Sequence, residues 1–119
     1  MRLAGTRRAA AVTIINNLEA MLTKGQDNAL LRYGLGNEYL KARQLEKAIE
    51  HLNKATKLDP HYSAAWKQLG RALTENGQAQ KAIAAYQSGI GVAEERGDIQ
   101  AAKEMQVFLR RVKKQQQER

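Results

Sequence analysis

The chain has 119 residues, enough for one domain of ordinary size, and no cysteine, which excludes disulfides and thiol chemistry. Its 20 Lys and Arg against 12 Asp and Glu leave a net charge of +8, a balance that favours acidic peptides, nucleic acid or anionic lipid as partners. No apolar run reaches membrane-spanning length, so no membrane-spanning helix is expected, and the lack of cysteine fits a reducing, cytoplasmic placement.

Alanine is abundant, aromatics are 5% of residues and there is one proline. That mixture suits thin, closely packed helices. The opening stretch MRLAGTRRAAAVTIINN has early arginines but a short apolar core broken by Asn16 and Asn17, so it reads as part of the fold and not as a targeting segment. Residues 1 to about 8 are expected to fray. From Arg8 to Thr23, Val12, Ile14, Ile15, Leu18, Met21 and Leu22 make one apolar stripe on a helix that Gly25 ends. Asp27 or Asn28 can cap a second helix running to about Ala42, and Arg43-Gln44 form a turn. A third runs from Leu45 to Leu58, burying Ala48, Ile49, Leu52 and Ala55, and Asp59-Pro60 stop it. Ser63 is expected to cap a fourth helix that reaches Glu75 and ends at Asn76-Gly77. A fifth runs from Ala79 towards Arg96. Gly97 ends it, Asp98 caps the sixth, and the tail from Lys113 to Arg119 is expected to fray. The sixth helix sets Ile99, Ala102, Met105, Phe108, Leu109 and Val112 against Lys103, Glu104, Arg110, Lys113 and Lys114.

Two stretches repeat. Gly36 and Gly70, Ala48 and Ala82, Leu52 and Tyr86, and Ala55 and Gly89 are each 34 residues apart. A fixed period of that size signals stacked supersecondary units. Glycine inside a helix costs about 1 kcal/mol relative to alanine, so close helix contact must offset it at Gly36 and Gly70. Gly36 is expected to face Ala48, and Gly70 to face Ala82. Shifted back by one period, Ile14, Leu18 and Met21 fall where Ala48, Leu52 and Ala55 lie, so the first helix reads as the second half of a preceding repeat.

Leu35-Gly36, Tyr39, Ala48, Leu52, Ala55 and Pro60, followed by Trp66, Leu69-Gly70, Leu73, Ala82, Tyr86 and Gly89, resemble the tetratricopeptide repeat (TPR) family. The first copy departs at the tryptophan position, which is Arg32, and the second lacks the proline, with Glu94 one period after Pro60. The resemblance implies an all-α, right-handed α-α superhelix of helix-turn-helix hairpins. Its parts are a basic N-terminal segment and helix (1–28), two repeats (29–62 and 63–96), and a C-terminal capping helix with a basic tail (97–119). It also implies a non-catalytic scaffold or adaptor that binds a protein partner on a concave face lined by the first helix of each hairpin.

That resemblance places Leu30, Tyr33, Asn37, Leu40 and Lys41 in the groove from the first repeat, and Ala64, Lys67, Gln68, Arg71, Thr74 and Glu75 from the second. The cations Lys41, Lys67 and Arg71, the amides of Asn37 and Gln68, and the amphipathic Tyr33 suit an extended or helical peptide with acidic groups or a C-terminal carboxylate. Family members that bind chaperone tails use a lysine–asparagine clamp. Here Asn37 matches its asparagine, while Tyr33 and Gln68 stand where a lysine and a second asparagine are expected.

Other chemistry finds little support. His51 and His61 have no second histidine at metal-ligand spacing and read as solvent-exposed or capping residues, so neither metal nor cofactor is expected. Gly34-Leu35-Gly36 and Gly89-Ile90-Gly91 lie within helical patterns with no preceding strand and no P-loop lysine. No nucleophile–base arrangement points to an enzyme. Two other classes stay open. One is self-association through the ends of a short stack. The other is nucleic-acid binding through Arg2, Arg7 and Arg8 with Arg110, Arg111, Lys113 and Lys114, a basic surface without interleaved aromatics.

Overall fold

The computed structural model describes residues 2–118, with side chains from residue 9 onward except Ala11. Six helices follow in order: α1 (Arg2–Thr23), α2 (Ala29–Lys41), α3 (Leu45–Leu58), α4 (Ser63–Glu75), α5 (Ala79–Glu95) and α6 (Ile99–Gln117). There is no strand among the described residues, and no helix there is long and apolar enough to cross a membrane. α2 pairs with α3 and α4 with α5 as antiparallel hairpins, α3 packs on α4 to join them, and α6 closes on α5. α2 touches α4 and α4 touches α6, so these three form one layer of an α-α superhelix measuring 39 × 34 × 22 Å.

The turns explain the boundaries. Gly25, Gly77 and Gly97 take φ of 86°, 77° and 74°, the left-handed conformation that ends α1, α4 and α5. Arg43 does the same job after α2 with φ of 63°, although it is not glycine. α5 has 17 residues where α3 has 14, as expected once Pro60 has no counterpart. Asn28 is the cap of α2, accepting from Leu31 N–H at 2.8 Å, while Asp27 turns instead to Arg32.

Three expected terminal features differ. The described helix begins at Arg2 instead of near Arg8, and α6 continues to Gln117 instead of fraying from Lys113. Lys, Arg and Gln are good helix formers, and this last turn is held by buried Val112 and by Gln80 Nε2 donating to Gln116 Oε1 at 3.1 Å. Ser63 is not a cap: Tyr62 holds that position, and Ser63 Oγ donates to Asp98 Oδ2 at 3.1 Å. Asp98 stands at the N-cap of α6, but its side chain makes no capping hydrogen bond there. Together with Arg96 Nη1 donating to the His61 carbonyl at 2.8 Å, the Ser63–Asp98 bond ties the turn before α6 to the turn before α4.

The repeated glycines accept side chains from the facing helix, though not the expected ones. A Cβ at Gly36 would overlap Leu52, reaching 2.7 Å from Cδ2, and one at Gly70 would lie 2.5 Å from Tyr86 Cε1. Leu52 and Tyr86, not Ala48 and Ala82, are the nearest partners. A helical side chain covers the turn N-terminal to its own Cα, so Leu52 lies over the surface that Ala48 leaves low. Ala48, Ala82 and Leu52 are nonetheless fully enclosed. Gly89 opens the corresponding space for α6, because a Cβ there would lie 2.5 Å from Met105 Sδ and 2.7 Å from Trp66 Cβ.

α1 leans on α2 through Ile15, Leu18 and Leu22, with Leu18 against Gly34. Its other apolar residues, Val12, Ile14 and Met21, are exposed, because no helix stands on the far side of α1 among the described residues.

Candidate functional site

The concave layer carries two hollows that join along α4. The smaller, about 220 Å³, lies between α2 and α4 and is lined by Asn37, Leu40, Lys41, Arg43, Gln68, Arg71 and Glu75. The larger, about 470 Å³, lies between α4, α5 and α6. Lys67, Gln68, Arg71, Thr74 and Glu75 form its α4 wall, Tyr86 stands behind, and Glu104, Phe108, Arg111, Val112 and Gln115 form its α6 wall. Gln68, Arg71 and Glu75 line both. Residues 68, 71 and 75 fall on one face of α4 because helical neighbours recur at three and four.

Of the six groove residues expected to meet the peptide, the structure therefore brings Asn37, Lys41, Gln68 and Arg71 together at the smaller hollow and Lys67, Gln68 and Arg71 at the larger. Tyr33 lines neither; its ring packs on Tyr62 with centroids 4.8 Å apart. Leu30 is 69% exposed at the start of α2. Thr74 lines the larger hollow but spends its hydroxyl on the Gly70 carbonyl at 2.8 Å.

The charges are less uniform than the sequence implies. Lys41 pairs with Glu38 at 3.1 Å, and Lys67 reaches Glu104 at 3.5 Å. Glu75 is held by Arg43 at 2.8 Å. Arg71 and Arg111 make no ion pair among the described residues. The Arg111 guanidinium lies 5.9 Å from the Phe108 ring centroid. Asn37 Oδ1 is buried and accepts no hydrogen bond, a costly state for an amide oxygen. Burial raises the pKa of the Tyr86 hydroxyl, so it stays neutral behind the larger hollow.

The α6 wall was not foreseen. Phe108 and Val112 come from the apolar side already expected for this helix, and Arg111 and Gln115 stand beside them at three-and-four spacing. That spacing is present in the sequence, but nothing in it tells a second inward stripe from a solvated one.

His51 also departs from expectation. It is buried, with 7% of its surface exposed, and lines neither hollow. Its ring stacks on Tyr39 with centroids 5.4 Å apart. Arg32 Nη1 lies 3.2 Å from Nδ1, and arginine only donates, so Nδ1 accepts, while Nε2 lies 3.3 Å from Glu19 Oε1. Glu19 also accepts from Tyr39 Oη at 3.2 Å, and Asp27 holds Arg32 at 2.8 Å. Burial pushes the His51 imidazole below its ordinary pKa, against the opposing pull of Glu19. The hydrogen bond from Arg32 lowers the Asp27 carboxyl. Arg32, at the position the repeat pattern gives to tryptophan, is thus the centre of a polar link between α1, α2 and α3. His61, by contrast, is exposed, as expected.

Comparison with known proteins places this geometry. The family model described as tetratricopeptide repeat matches residues 33–96. TPR repeat-containing protein PA0015 of Pseudomonas aeruginosa is 50% identical over 99 residues, 83% of this chain and 94% of that protein. The solution structure of protein BPP2914 from Bordetella parapertussis is 47% identical, with a TM-score of 0.75 over 86% of this chain and 89% of that one. The Sgt2 TPR domain from Aspergillus fumigatus is 30% identical, with a TM-score of 0.79 over 97% of this chain and 74% of that one. The chain belongs to the tetratricopeptide repeat family, whose fold typically serves protein–protein interaction and not catalysis.

Proposed function

We propose that the trough along α2 and α4 binds an extended segment of a partner protein, with acidic groups of that segment meeting Arg71. The observation that carries this reading is the joined pair of hollows. They bring the Asn37 amide and an arginine without an acidic partner among the described residues to one trough, 34 positions apart on equivalent helices of the two hairpins. A peptide main chain supplies hydrogen-bond partners to the first, and a carboxylate supplies acceptors to the second. The protein acts in this reading as a small adaptor, with no bond made or broken.

The test is an array of acidic peptides probed with wild type and with Arg71→Glu. Arg71 is exposed, so its reversal leaves the core intact. Peptides retained by wild type should be lost by about tenfold or more in the variant, the scale of one charge-assisted hydrogen bond. Equal retention counts against the reading.

A second reading, self-association, is favoured by the exposed Val12, Ile14 and Met21 on α1. It treats α1 as the second helix of a hairpin whose first helix a neighbouring molecule replaces. Sedimentation that shows only monomer at high concentration would remove it. Nucleic-acid binding through the termini is weaker: the side chains of Arg2, Arg7 and Arg8 lie outside the described residues, and Arg111 lines the larger hollow.

A further inference from the structure

We infer that the outer face of α6, turned away from both hollows, docks an acidic amphipathic helix of a partner protein. This face is separate from the trough, and the two readings stand or fall independently.

Within α6, Lys103, Val107, Arg110 and Lys114 recur at intervals of four, three and four. That spacing sets them on one line about 16 Å long, and it is the spacing at which one helix meets another along its length. All four are exposed, Val107 with 36% of its surface. Ala102, Met105 and Val112 face the core, and Glu104, Phe108, Arg111 and Gln115 face the larger hollow, so the line runs along the back of the helix. α6 packs on α5 and α4, and no other element reaches it among the described residues.

Charge decides the occupant. From Ile99 to Gln117 the helix carries five cations and one acid, Glu104, which is turned to Lys67 on the trough side. Lys103, Arg110 and Lys114 hold no ion pair among the described residues. The solvated face of α3 is different: Glu46 and Glu50 stand among Lys47, Lys54 and Lys57, the mixture of signs that keeps a surface soluble and unpaired. A second copy of α6 would set cation against cation and be repelled. A bilayer gains little, because the exposed aliphatics Ile99 and Val107 are separated by Lys103 and form no continuous apolar strip. A nucleic-acid strand would use the cations and leave Val107 idle, and no aromatic on the line offers a base a stacking surface. An acidic helix uses every position: carboxylates opposite Lys103, Arg110 and Lys114, and an aliphatic side chain against Val107. The adaptor then holds two partners at once, one in the trough and one behind it.

The experiment is a titration of ¹⁵N-labelled full-length protein, followed by amide chemical shifts. The probe is an alanine-based helical peptide in which Glu, Leu, Glu and Glu recur at intervals of four, three and four. One control has the same composition with these residues scattered round the helix, and another has Lys in place of each Glu. The patterned peptide should shift Lys103, Val107, Arg110 and Lys114 and bind about tenfold more tightly than the scattered one, while the lysine peptide should not bind. Lys103→Glu/Arg110→Glu should lose the patterned peptide by about tenfold or more and accept the lysine peptide instead, a reversal that a misfolded protein does not show. Arg71→Glu, in the trough, should leave this binding unchanged.

Equal affinity for the patterned and scattered peptides reduces the face to diffuse charge and overturns the docking site, as does the absence of shifts on α6. Shifts confined to Asn37, Gln68 and Arg71 put the peptide in the trough, which leaves that reading standing and overturns this one. Tighter binding at the α6 residues by an oligothymidylate or by phosphatidylserine vesicles, with an affinity that falls steeply with salt, makes the face a phosphate-binding surface and overturns the helical partner.

Discussion

Three glycines, alike by composition, occupy different surroundings. At Gly70 an added methyl meets the rigid Tyr86 ring at 2.5 Å, and at Gly36 it meets Leu52. Overpacking of this kind costs about 1–3 kcal/mol, which outweighs the ~1 kcal/mol that alanine gains in helix propensity. Gly91 has nothing within 4 Å. Gly70→Ala and Gly36→Ala should therefore lower the melting temperature, and Gly91→Ala should raise it by up to about 1 kcal/mol in stability. Equal effects at all three in thermal denaturation would show that the contacts do not decide the sign. Arg43 offers a converse case. It holds φ of 63°, where an L-residue is disfavoured by about 1–2 kcal/mol, and an exposed pair such as Arg43–Glu75 returns at most about 1 kcal/mol. Arg43→Gly should stabilise the protein by up to about 1 kcal/mol in chemical denaturation. The sequence shows where these residues recur, but not their signs, because sign depends on which side chain arrives from across the hairpin.

At the scale of the element, α1 is the helix whose attachment depends most on polar contacts. Its apolar grip is Ile15, Leu18 and Leu22, and the rest is the Glu19 carboxylate bound by His51 and Tyr39. The groups facing His51 are Glu19 from α1, Arg32 and Tyr39 from α2, Asp27 from the preceding turn, and Glu50 beside it on α3. With its folded pKa lowered by burial, His51 binds a proton less readily folded than unfolded. Stability from this site is thus complete above the ordinary histidine value of about 6.5 and is lost as pH falls towards the lower folded value. A second ring proton sits on Nδ1, facing the Arg32 guanidinium, and breaks that contact. Denaturation between neutral and mildly acid pH should show wild type losing stability as pH drops, and His51→Gln losing much less. Parallel curves for the two would remove His51 as the cause. His51 was expected to be exposed or capping and is buried, although its position beside Ala48, Leu52 and Ala55 on the helix was legible in the sequence. Its partners were not, because Glu19 and Arg32 come from other helices.

At the scale of the whole molecule, α6 completes the second hairpin. Met105 is fully enclosed and occupies the space that Gly89 leaves beside Trp66. Met105→Ala should cost about 2–5 kcal/mol, a cavity penalty, measured by thermal or urea denaturation. Such a loss, set beside an unaltered fold in Lys103→Glu/Arg110→Glu, would separate the covering role of α6 from the binding role of its outer stripe. Little change on Met105→Ala would mean that the hairpins stand without it. The same helix shapes the trough: without α6 the larger hollow has no second wall.

The repeat, the six helices and nearly all their ends are legible in residue spacing alone. Spacing of small and apolar residues and the conformational preferences of Gly, Asn and Pro are local properties, written in the chain within a turn or two. Packing settled that Leu52 and Tyr86 fill the glycine clefts, that His51 is buried among three helices, that Tyr33 turns to Tyr62, and that Lys67 and Lys41 hold ion pairs while Arg71 and Arg111 hold none among the described residues. Each of these depends on which side chains from distant positions arrive at the same place, and the distance between two helices is set by all the residues between them at once.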